Sequence, residues 1–300
     1  MEIDGADFGV NFARKKYLGI GKIKEDVMTN GASAVFHPVR VFGASLGLWA
    51  KNFIPIVAIH GVNVFAGRVL QLSVRCASPL PQGRPGVWLT VLLGVEGVAV
   101  IVLSAFVSLF VLGYLRDAHG RRPLFTDVFR QTCSRFGGYV CGVFMLLTFF
   151  VVGISLSGAF LMGGHVLYAK HPATPPALGV LLATSTIAVA LAIAVVWYGF
   201  YFTLAPLIAG FENKPVLQAF RESRSRIRGQ ALRYASAFLI FVVFYLALGL
   251  SAYFVLRVTA VAPRVLYAID PAMGALFGPL WLALWLVCYE RVGEAKKHKA

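Results

Sequence analysis

Six apolar runs, at 53–73, 87–115, 138–163, 177–209, 231–257 and 265–289, leave this chain few ways to fold. Each is long enough to cross about 30 Å of hydrocarbon as a helix, which takes about 20 residues. Inside lipid no water completes a broken hydrogen bond, so a spanning segment must satisfy its own backbone, as an α-helix does. Composition agrees: 58% of residues are hydrophobic and 14% charged, where soluble proteins carry about a quarter charged. The sequence therefore predicts an all-α polytopic membrane protein with six transmembrane helices.

Charge orients the spans. The chain carries 28 Lys and Arg against 13 Asp and Glu, a net charge of +15. Six spans divide the basic residues unevenly. All but Arg68, Arg75, Arg84, Lys170, Arg257 and Arg264 fall on one side, with both termini. Basic loops stay in the cytoplasm, so both termini are expected there, and the charge reports topology rather than a nucleic-acid partner. The expected layout is a polar N-terminal tail over 1–35, a membrane domain over 36–289 and a basic tail over 290–300. The first segment lacks the continuous apolar core of a signal peptide. Cys76, Cys133, Cys141 and Cys288 form no CxxC, and only Cys76 is expected outside, so no disulfide framework is predicted.

One basic stretch has an internal twin. FRESRSRIRG at 220–229 aligns with FRQTCSRFGG at 129–138, sharing Phe, Arg, Ser, Arg and the final Gly. HPVRVFGASLGLWAKNF, from residue 37, keeps the Pro and Phe of a fainter third copy. Each copy precedes two apolar runs. The chain thus reads as three hairpin repeats, about 36–115, 122–209 and 213–289, each opened by a cytoplasmic interfacial amphipathic helix. Apolar residues recur at helical spacing: Val39, Phe42, Leu46, Trp49 and Phe53; Phe125, Phe129 and Phe136; Val216, Phe220 and Ile227. Opposite them stand Arg130 and Arg135 in the middle copy and Arg221, Arg224, Arg226 and Arg228 in the last. A helix with an apolar stripe and a guanidinium face is expected to lie in the interface and grip anionic lipid headgroups.

The run from YFTLAPLIAGFENKP into LQAFRESRSRIRG carries a further signal. With Pro206 near the end of one span, a Lys-Pro, and a helix ending at Gly229, it resembles bacterial six-span membrane proteins of unassigned function. It is similar too to the membrane domain fused to some glycerophosphodiester phosphodiesterases. The likeness covers the last 100 residues best. The likeness implies a helical integral protein of the bacterial cytoplasmic membrane working as a scaffold, and supplies no catalytic residue; the acidic phosphodiesterase domain is absent from this sequence.

Chemistry inside the spans rests on few groups. Glu96 is the acid placed within the second span, with His60, Asn63 and Arg68 in the first; together they are expected to form an intramembrane polar network. Arg68 and Glu96 fall at similar depth and are expected to pair. Gly274 and Gly278 make a GxxxG suited to close helix packing. Six histidines show no metal spacing, GISLSGAF at 153–160 has no His in the fifth or sixth span to act as its base, and LGIGK is not a phosphate loop. No catalytic site, metal or cofactor is predicted. The expected function is non-enzymatic organisation of anionic lipid, a membrane partner or a second copy. The alternative is a secondary transporter with Glu96 in its pathway.

Overall fold

A computed structural model describes residues 36–77, 87–118, 123–170, 175–258 and 263–297; for 70–77, 87–90, 92–93, 170, 175, 253, 255–258, 263–270 and 294–297 it describes the backbone alone. The expected N-terminal tail at 1–35, the connections at 78–86, 119–122, 171–174 and 259–262, and residues 298–300 of the expected basic tail over 290–300 lie outside the described residues, while 290–297 are helical. Every described element is helical: α1 (Pro38–Lys51), α2 (Phe53–Ala77), α3 (Val87–Asp117), α4 (Phe125–Lys170), α5 (Pro175–Phe202), α6 (Ala205–Phe211), α7 (Val216–Ile227), α8 (Ala231–Val258) and α9 (Pro263–Lys297). Five stretches are long and apolar enough to cross a membrane, or six when α1 and α2, bent 86° at their junction, count as one broken span.

Local chemistry explains the breaks. Pro38 starts α1 where a missing N–H costs nothing. Asn52 ends it, its side-chain amide donating to the Leu48 carbonyl at 3.0 Å. Pro206 has no N–H for the Phe202 carbonyl, and the chain breaks at Thr203 between α5 and α6. Carbonyls near the break find side-chain donors: Ser223 Oγ donates to Tyr201 at 2.7 Å, and Trp285 Nε1 to Thr203 at 3.0 Å. The Thr203 hydroxyl donates to Phe200, so the Tyr234 hydroxyl, 2.8 Å away, must donate to it.

The core gathers at the end of the bundle that holds α6 and α7, here called the basal end. All seven residues of α6 are buried. It lies against α4 at two glycines: a Cβ on Gly138 would meet the Ala209 carbonyl oxygen at 2.9 Å, and one on Gly142 would meet Pro206 Cα at 2.9 Å. The last turns of α3, the first of α8 and residues 280–292 of α9 complete this core. Half of the α9 span is buried, against 11% of α4 and of α5. Where a bundle faces lipid, exposed Leu, Val and Phe are expected.

Two features depart from the sequence expectation. The middle interfacial helix is not separate: α4 runs unbroken for 46 residues, through Gly137 and Gly138, about 69 Å at 1.5 Å per residue. The twin position, Gly229, has φ +87° and ends α7. The same letter thus terminates one helix and passes a neighbour inside the other. Second, the apolar stripes of α1 and α7 rest largely on protein, while Phe125 and Phe129 of the middle stripe are exposed. On α1 the buried line is Val41, Ser45 and Leu48, while Val39 faces out. That face crosses α8 and α9, with Phe42 edge-on to Phe244 and the Trp49 indole donating to the Leu276 carbonyl at 3.1 Å. On α7, Ala219, Phe220, Ser223 and Ile227 are buried against neighbouring helices. Phe129 and Phe136 meet Phe106 of α3.

Candidate functional site at the basal end

The turn between α6 and α7 builds the densest polar cluster in the described chain. Asn213 sits at φ 51°, a left-handed conformation that Asn tolerates, and swings the chain from Phe211 into α7. This sets Glu212 and Lys214 opposite Glu222 and Arg226, which stand four apart on α7. Arg226 Nη2 lies 2.6 Å from both Glu212 and Glu222, and its Nε donates to Glu222 at 3.2 Å. Lys214 pairs with both carboxylates, and the Tyr289 hydroxyl of α9 donates to Glu212 at 2.7 Å.

The electrostatics follow from that geometry. Burial would raise the Glu212 carboxyl, but hydrogen bonds from Lys214, Tyr289 and Arg226 outweigh it and hold it below the usual range. Glu222 is likewise raised by burial and brought below its ordinary value by Lys214 and Arg226. Both acids are therefore charged and already engaged.

Beside this network two more arginines converge on one ring. The Arg116 guanidinium, from the last turn of α3, lies 4.9 Å from the centre of the Phe211 ring, and that of Arg135, from α4, lies 6.0 Å away. Phe211 in turn meets Tyr289 at 6.0 Å, and Arg226 lies over Tyr289 at 5.7 Å. Guanidiniums favour aromatic faces because the ring quadrupole is negative there.

The arginines assigned to headgroups thus divide. Arg221, Arg224 and Arg228 are exposed on α7, and Arg130 is exposed on α4. Arg226 turns inward, its side chain 10% exposed, because two carboxylates wait on that side. Arg135 is half-buried over Phe211. The spacing of Glu222 and Arg226 is the one local signal that could have exposed the network. Arg116, Phe211 and Tyr289 are far apart in sequence and carry none.

The intramembrane groups are dispersed. Asn63 meets Ser104 of α3 at 3.4 Å. His60 faces α9 instead, its ring so close to Gly278 that a Cβ there would overlap it, and its Nδ1 is buried without a hydrogen-bond partner among the described residues. Glu96 is half-buried on α3 and takes no part in the ion pairs of the basal end. Of the GxxxG glycines, Gly278 makes a close contact and Gly274 has open space around it. Comparison with protein-family models, with curated proteins and with solved structures returns no match.

Proposed function

We propose that this is a non-enzymatic integral membrane protein that organises anionic lipid, or a membrane partner of like charge, at a cytoplasmic basal end. The observation that carries the reading is the outer face of α7. Its apolar side is used up inside the protein, leaving Arg221, Arg224 and Arg228 exposed on a helix that buries Phe220 and Ile227. Basic residues beside an anionic membrane surface gain about 1 kcal/mol each. The uneven distribution of Lys and Arg supports cytoplasmic termini, and the twin sequences support descent from three repeats whose opening helices have since diverged.

The test uses the full chain in lipid nanodiscs of phosphatidylcholine, with and without phosphatidylglycerol. Anionic lipid should raise the unfolding temperature, and Arg221→Gln, Arg224→Gln and Arg228→Gln together should remove roughly 3 kcal/mol of that gain. Equal stability in both lipids would defeat the lipid reading.

A further inference from the structure

The basal cluster is short of negative charge. Four cations, Arg116, Arg135, Arg226 and Lys214, surround the Phe211 and Tyr289 rings and the turn between α6 and α7. Two carboxylates, Glu212 and Glu222, stand among them, and both are engaged by Arg226 and Lys214. Asp117, next to Arg116 on α3, forms no ion pair within the described residues. Within those residues neither Arg116 nor Arg135 donates a hydrogen bond or meets a carboxylate; the ring of Phe211 is their shared contact. Each guanidinium offers five N–H donors in a flat fork. Two such forks from different helices, held at one ring with no carboxylate partner among the described residues, leave their donors available to an anion.

We propose that Arg116 and Arg135, backed by Phe211, form a binding site for a phosphate group, either inorganic phosphate or the phosphomonoester of a lipid headgroup. The inference rests on the reading of the basal end as anion-binding, and narrows it from a diffuse surface to one built site. A phosphomonoester fits the deficit: it brings up to two negative charges and three oxygens, enough for both forks at once. The site differs from the α7 face in kind. Arg221, Arg224 and Arg228 follow one another along one helix, whereas the exposed Arg116 and the half-buried Arg135 come from two helices and meet at a ring supplied by a third.

Calorimetric titration of the full chain in a non-ionic detergent tests the site, with inorganic phosphate, a short-chain phosphatidate and a short-chain phosphatidylcholine as probes. Phosphate or phosphatidate should bind and phosphatidylcholine should not. Arg116→Gln or Arg135→Gln should weaken binding about tenfold or more, as expected for loss of a charge-assisted hydrogen bond. Arg116→Lys and Arg135→Lys keep the charge and guard against misfolding; they should weaken binding too, since an ammonium has no fork. Lys51→Gln, at the exposed end of α1, should bind as the wild type does. Phosphatidate binding far tighter than inorganic phosphate assigns the site to lipid, and equal binding assigns it to a soluble phosphate. Binding by neither probe, or binding unchanged in both Gln variants, overturns the site. If anionic nanodiscs still stabilise the wild type through α7 in that case, the broader reading survives; if they do not, both fall.

Discussion

Arg226 lies in the middle of the stretch most exposed to misreading. By helical spacing it belongs to the basic face, yet Glu222, one turn earlier, and Glu212 across the turn draw it in. Removing Arg226 from this part-buried cluster leaves Lys214 as the one cation facing two carboxylates, at up to about 3 kcal/mol. Arg226→Gln should therefore destabilise the protein by up to about 3 kcal/mol near neutral pH, while Arg224→Gln, on the exposed face, should change stability by less than about 0.5 kcal/mol. Thermal unfolding in detergent measures both. The cluster also sets an acid limit. The Glu212 and Glu222 carboxyls are lower in the folded state, so their stabilisation is complete above the unfolded value of about 4.3 and is lost as pH falls through the folded values below it. Unfolding temperature should drop on acidification below about pH 4, and Arg226→Gln should flatten that dependence.

At the scale of helices, close approach depends on which glycines meet a neighbour. Gly278 and Gly274 look equivalent in the sequence, but only Gly278 has a side chain, that of His60, where its own Cβ would be. Gly278→Ala should cost about 1–3 kcal/mol through overpacking, and Gly274→Ala should be neutral or slightly stabilising, as Ala favours helix. Gly142→Ala should be worse tolerated than either, because the obstacle is the Pro206 backbone rather than a side chain that can turn. Equal melting temperatures for the three variants would show that these contacts do not set the packing. The helices themselves were legible, since apolar length is a local property and lipid enforces it. The course of α4 was not: Gly137 and Gly138 resemble a boundary in one dimension, whereas in three Gly138 is the notch that admits α6. The α1 and α7 stripes were legible as stripes, but a pattern cannot say whether lipid or protein covers it. For Phe220 and Ile227 the answer is protein.

For the molecule as a whole, the division between a packed basal end and lipid-facing spans makes topology the main external prediction. Cys133 is exposed and lies in the part of α4 that leads into the basal cluster, while Cys288 is fully buried and cannot report on either side. A membrane-impermeant maleimide applied from outside should modify Cys76 and spare Cys133 until the membrane is opened. The reverse pattern would invert the proposed orientation. The site was less legible than the spans for the same physical reason: Arg116, Arg135 and Phe211 share no local period and meet only when three helices close. That closure has a schedule. The wedge of α6 is made around residue 208, and the α9 surface that completes its core, residues 280–292, is made about 70–85 residues later. At about 5–20 residues per second of synthesis, the earlier helices wait roughly 4–17 s in the bilayer beside an unfilled slot. During that interval the acids and arginines of the α6–α7 turn have neither Tyr289 nor the rest of α9 beside them, so a chain stopped before residue 280 should be recognised by quality control as an unfinished membrane protein.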